Sequence, residues 1–467
     1  MIPVNHAISC RSCAIPSRLT PWILRAAVLV PIAGCGDGGD ELTLPHGYGD
    51  GLSGRGFRAG AISYTLADLQ TVTLRLTFDV AAKTTVGHAE IQFKPVEDGE
   101  PLFLLTPTAT AAMLDGQPVT LGTLRDPDDV TTFTAIPGQL AAGSDHLLEI
   151  DYPIDRTSYP DGAGVDLVTS MLDVEAYAKA GEAAHFFEAY GPAGVEADQF
   201  QLSVELDVIG GTAPQILFSN GTQHETAAGQ WTIEFPAYFS SSSFFFHLTS
   251  LPYEVRETTY QGLEREIPIA AYATNAETAD QAIAALPGYL AELESTFGPY
   301  PHAAFVADLP GNLNVSMEHA GATITGLSSL SHELCHSWFG RGVLPADGRA
   351  GWIDEAVCTW RDVMYADDVY QRPGPDNLAW YSIWYVGTPG QPHIEGAVVA
   401  SHVDTLLADH GGLRPLLAKL FMQSQHRPIT TEQFLSFLEA ESGLDLDAYV
   451  QKHVYDGHPV PRIGSGR

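Results

Sequence analysis

The chain has 467 residues, enough for two or three domains with a substantial core. Hydrophobic residues make up 45% and aromatics 10%, a globular balance that excludes intrinsic disorder. With 57 acidic against 23 basic residues the formal net charge is −34, which argues against nucleic acid as a partner, because phosphate recognition needs clustered Lys and Arg.

Residues 1–34 read as a secretion leader, with arginines, no acidic residue, and a short apolar run after Arg25. That run is too short to span a bilayer as a helix. It ends in Ile32-Ala33-Gly34-Cys35, which resembles a bacterial lipobox. Cys35 is therefore expected to carry lipid, with export across the inner membrane and a lipid anchor to the cell envelope. A plain secretory signal is the alternative. Residues 35–50, with Gly36-Asp37-Gly38-Gly39-Asp40, read as a flexible tether. Cys10 and Cys13 belong to the leader, so only Cys335 and Cys358 remain and no disulfide framework is implied.

Residues 51–255 read as a β-sandwich. Val72, Leu74, Leu76, Phe78 and Val80 alternate with Thr71, Thr73, Arg75, Thr77 and Asp79, the period of a strand with one buried face. Similar runs recur at 89–93, 147–152, 200–208, 230–235 and 243–248, and 240–247 is expected to hold a core strand. Turn residues separate them.

Residues 256–467 read as a mainly helical domain, so the overall class is α+β. Helical spacing covers 276–297 across Pro287, then 328–339, 352–365, 396–410, 413–423 and 431–442. Thr430 with Gln433 suits a capping box, and Gly443 suits a helix end. Trp380 and Trp384 stand at helical i, i+4 spacing, for core packing or for lining a cleft.

The chemistry concentrates in His332-Glu333-Leu334-Cys335-His336. Four residues apart on a helix, His332 and His336 share a face and can reach one metal. Zinc suits imidazole nitrogen, and a catalytic site takes three protein ligands and leaves one position for water. Glu333, beside the first ligand, is placed to act as general base. Glu355, separated from His336 by eighteen residues and on the next helix, fits as third ligand. One zinc per chain is expected. Cys335 and Cys358 sit on these two helices, either as a disulfide or as two buried thiols.

This spacing, with Trp338-Phe339-Gly340 one residue after the second His, resembles the M1 aminopeptidases among the gluzincin metallopeptidases. Phe297-Gly298-Pro299-Tyr300-Pro301 is similar to the family's FGxYP. Val315-Ser316-Met317-Glu318-His319 stands where the family has GAMEN, and Ser219-Asn220-Gly221 resembles its SNG. The resemblance implies a β-sandwich followed by a thermolysin-like catalytic domain in a short form without the helical third domain. It implies an aminopeptidase, expected as a monomer, acting on peptides with a free N-terminus. His332, His336 and Glu355 would bind zinc, Glu333 would be the general base, and Glu318 would pair with the substrate α-amino group.

The sequence departs from the family in places. Only fourteen positions separate Glu318 from His332, about half the usual distance, and His319 replaces the Asn of GAMEN. Where the family has a Tyr that stabilises the oxyanion, Pro392-His393-Ile394-Glu395-Gly396 places His393. His393 can donate in that role, and Tyr381 and Tyr385 are nearby alternatives. Two further readings stay open: a non-catalytic or weakly active zinc-binding lipoprotein of this fold, and a glycyl-aminopeptidase-like enzyme or endopeptidase.

Overall fold

The computed structural model describes residues 52–170, 187–311, 316–366, 377–384 and 392–458. The leader, Cys35, the tether and Tyr385 lie outside the described residues.

Among the described residues, the first half of the chain builds one large curled sheet of twelve strands and a smaller sheet of three. Its spine is the 18-residue strand Ile62–Asp79. Leu74, Leu76 and Phe78 on its inward face are fully buried, as alternation requires. Register shifts between Leu69 and Thr71 divide this strand in two. Its first part pairs in parallel with Glu100–Phe103, and its second part pairs in parallel with Gln201–Ile209. One long strand thus serves two sheet layers, which close over a shared core. The serine run at 240–247 is not one core strand. Ser240–Ser243 forms a turn closed by Ser243 N–H on the Ser240 carbonyl, and only Phe246–Thr249 is strand. Four consecutive hydroxyls serve a turn better than a ladder, because they bond to nearby groups.

From Glu254 a five-stranded mixed sheet follows. Its order is Glu254–Gln261, Glu266–Ala273, Phe305–Leu309, Ala322–Ile324 and Met317–His319. Among the described residues this half carries seven helices: α1 (Ala276–Phe297), α2 (Leu330–Cys335), α3 (Trp352–Asp362), α4 (Pro392–Leu406), α5 (Leu413–Ser424), α6 (Thr431–Ser442) and α7 (Asp447–His453). Helix α1 runs through Pro287 and buries Ala279, Ala282, Leu286, Leu290, Leu293 and Phe297 along one stripe. The capping box at Thr430 and Gln433 is formed, and Gly443 ends α6 in the left-handed conformation.

Helix α2 is shorter than the spacing of 328–339 predicts. It stops at His336, and the chain turns back through Gly340, at φ +108°, where a Cβ would lie 2.8 Å from Asp354 Oδ2. The Trp380 and Trp384 pair is not helical either. Trp384 is buried in the β core against Phe57 and Phe133, whereas Trp380 stacks on His458.

The β layers and the helical half meet through specific contacts. Phe218 stacks on Tyr272 at 3.5 Å between ring centroids. Asn220 donates to the carbonyls of Ser243 and Ala320 and accepts from Phe245 N–H. His247 lies between Asp166 and Asp308, at 3.0 and 3.2 Å.

Candidate metal centre

Helix α2 is anchored by buried Leu330, Leu334 and Cys335, which turns His332 and His336 to the opposite side. The two Nε2 atoms face one another at 3.2 Å. Helix α3 runs back alongside and supplies Glu355 from its first turn. Glu355 Oε2 lies 3.5 Å from His332 Nε2 and 3.7 Å from His336 Nε2. This oxygen is buried and makes no hydrogen bond of proper geometry. An orphaned carboxylate oxygen facing two imidazole nitrogens is costly unless a cation sits among them. Two imidazoles and one carboxylate are the donor set zinc takes in open catalytic sites, so the residues fit the metal.

The surroundings complete the arrangement. His332 Nδ1 bonds to Asp362 Oδ2 at 2.7 Å, which fixes the ring and leaves Nε2 for the metal. Burial pushes the His332 pKa down, but Asp362 and Glu355 outweigh it and lift it to about 11 in the chain alone. His336 is fully buried, and burial lowers it to about 3. Glu333 is buried beside the ligands, and desolvation, reinforced by the charge of Glu318, raises its carboxyl well above the usual range. Such a carboxyl is suited to taking and returning a proton.

Helix α4 brings His393 to the same place. Gly396 lets α4 lie against α3: a Cβ there would be 2.9 Å from the Ala356 Cβ. His393 Nε2 is then 3.1 Å from Glu355 Oε2, and its ring is nearly parallel to that of His332. Helical spacing placed the start of this helix at 396; it begins at Pro392 and carries His393 in its first turn.

Glu318 sits on the edge strand Met317–His319, paired with Ala322–Ile324 through a tight turn at Gly321, φ +72°. The strand Ala322–Ile324 leads through a turn at Gly326–Ser329 straight into α2, which accounts for the short interval from Glu318 to His332. Alternation sends neighbouring side chains apart. His319 turns into the β half, against the Ser242 carbonyl and Ser170 hydroxyl. Glu318 turns the other way, with a carboxylate oxygen within 4.8 Å of a His336 ring nitrogen and of an Asp354 oxygen.

Cys335 and Cys358 are both buried free thiols, side by side between α2 and α3. Tyr381 points elsewhere, donating to the Asn377 carbonyl. Sequence reasoning missed Asp362, Asp354, Arg341 and Glu196. Asp362 was findable, because it lies seven residues, two turns, beyond Glu355 on α3.

The sequence matches no family model and no curated protein. Solved structures do resemble the fold. An M1 zinc metallopeptidase from Deinococcus radiodurans superposes with a TM-score of 0.61 at 18% identity, over 85% of this chain and 95% of that one. The fold is that of the M1 zinc metallopeptidases. Aminopeptidase A of Legionella pneumophila gives 0.61 at 14% identity, over 84% of this chain and 50% of that one. The LTA4 hydrolase of yeast gives 0.57 at 12%, over 85% and 69%. The α+β reading, β layers followed by a mainly helical metallopeptidase-like half, agrees with these neighbours.

Proposed function

We propose that this chain is a zinc-dependent aminopeptidase that removes N-terminal residues from peptides. The observation that carries the reading is the orphaned Glu355 Oε2 facing the Nε2 atoms of His332 and His336. Zinc held there would polarise a water and the scissile carbonyl. Glu333 takes the proton of the attacking water and returns it to the leaving amine. Glu318 receives the α-ammonium and so sets which peptide bond reaches the reacting position. His393, half-exposed beside Glu355, donates to the developing oxyanion. Support comes from the fold neighbours: the Deinococcus enzyme has been captured with a Tyr-Ser-Ala substrate, and the Legionella aminopeptidase with aspartic acid.

The test is hydrolysis of aminoacyl fluorogenic amides beside their N-acetylated twins, with zinc-loaded protein. Cleavage of the free amines only, abolished by a chelator, is expected. Cleavage of both sets equally gives an endopeptidase instead. A second reading, a zinc-binding module without turnover, is favoured by the contact of His393 with the ligand Glu355 in place of a family Tyr; bound zinc with no cleavage of any substrate would establish it.

From Ile32-Ala33-Gly34-Cys35 alone, the same reading includes export and a lipid anchor at Cys35. Intact mass of the mature N-terminus tests it: a diacylglyceryl-cysteine is expected, and an unmodified Cys35 contradicts it. The soluble body then acts as a monomer on peptides outside the cytoplasm.

A further inference from the structure

Five residues past His336, Arg341 is buried where the chain turns back from the metal helix. Its Nη2 donates to Glu318 Oε1 at 2.8 Å, and its Nη1 donates to Glu196 Oε1 at 3.1 Å. Its Nε also reaches the Glu318 backbone carbonyl at 3.4 Å. Glu196 belongs to the β half, and its Oε1 further accepts from the hydroxyls of Ser240 and Ser242 in the serine turn. One guanidinium therefore holds two carboxylates from different halves of the molecule, each by a single oxygen.

Without Arg341, two largely buried carboxylates would stand close together with no cation between them. Burial already raises Glu196, the charge of Arg341 works against that, and the charge of Glu318 adds to it. The Oε2 atoms of Glu318 and Glu196 have no hydrogen-bond partner among the described residues. Both side chains keep a small opening to solvent, 13% and 11% exposed against 4% for Arg341.

The structure assigns Arg341 as the positioning residue of the amine site: it clamps Glu318 and Glu196 by one oxygen each and leaves the second oxygen of each for one α-ammonium. The assignment rests on the proposed role of Glu318. It makes the substrate class peptides with one free, unacylated N-terminal amine. The planar fork of arginine suits this double hold, which lysine meets only as a point charge.

The test uses the zinc-loaded E333Q protein, so that binding is read without turnover. Binding of leucinamide and of its N-acetyl twin is measured by calorimetry in this background and with R341Q, R341K or E196Q added. Leucinamide is expected to bind at least about tenfold more tightly than the twin. R341Q and E196Q should each erase about tenfold of that preference, R341K should restore part of it, and zinc content should stay at one per chain. If R341Q fails to fold, E196Q carries the comparison. Equal binding of the two compounds in the E333Q background overturns the clamp. Tighter leucinamide binding in R341Q also overturns it, because Arg341 would then be blocking the carboxylates. Should the Glu333 chain prove unable to cleave any amide while E333Q still discriminates, the peptidase reading falls and the clamp stands.

Discussion

Asp362 Oδ2 lies 2.7 Å from His332 Nδ1 and points the other ring nitrogen of that histidine at Glu355. Both residues of the pair project from helices that meet only in the fold, α2 and α3. The carboxylate fixes which nitrogen is free to bind metal, so its loss reaches the metal through the ring. D362N is expected to weaken zinc affinity by roughly 10–100-fold without unfolding the chain. Competition with a chromophoric chelator measures this; unchanged affinity would remove Asp362 from the site.

His393 shares the centre from a third helix, and its reach depends on Gly396. G396V places methyl groups against Ala356, whose Cβ would lie only 2.9 Å from a β-carbon at 396. Overpacking of this kind costs about 1–3 kcal/mol. Turnover should fall together with the melting temperature. H393A, which frees space, should lower kcat by about 10²-fold with the melting temperature nearly unchanged. Equal kcat in H393A and the parent would exclude His393 from the reaction.

His247 supplies a pH dependence of stability between the two halves. Burial pushes its pKa down, but hydrogen bonds to Asp166 and Asp308 and their charges prevail and raise it to about 9. The folded value stands above the ordinary 6.5. Its contribution is therefore fully present below pH 6.5 and is lost as pH rises through about 9. The stability gap between the parent and H247Q should shrink by on the order of 3 kcal/mol from pH 6 to pH 10. A gap independent of pH would contradict the charged triad.

Much of this architecture was legible because it is written in local periodicities. The alternation through Val72–Val80 gave the central strand, and helical spacing gave α1, α3, α5 and α6 close to their ends. HExxH with a distant Glu is legible because the helix pitch converts spacing into a shared face. The misses share a cause. Glu196, Ser240, Ser242 and Arg341 come together only through tertiary packing, by contacts that span 44, 46 and 145 positions, and no period marks them. Ser240–His247 looked like a strand because Phe244, Phe245 and Phe246 are apolar, yet the serines turn the chain to hold a carboxylate. Helix α2 looked longer than it is because Trp338 and Phe339 continue the apolar pattern after the chain has left the helix; they are buried by the turn at Gly340 instead.

In the proposed function His332, His336 and Glu355 hold zinc so that Glu333 can move a proton for peptide hydrolysis. Metal content and turnover of a free-amine aminoacyl amide, measured side by side for the parent and E333Q, test this. One zinc per chain is expected in both proteins, with turnover in E333Q reduced by about 10²–10⁴-fold. No bound zinc in the parent, or near-parental turnover in E333Q, would contradict it.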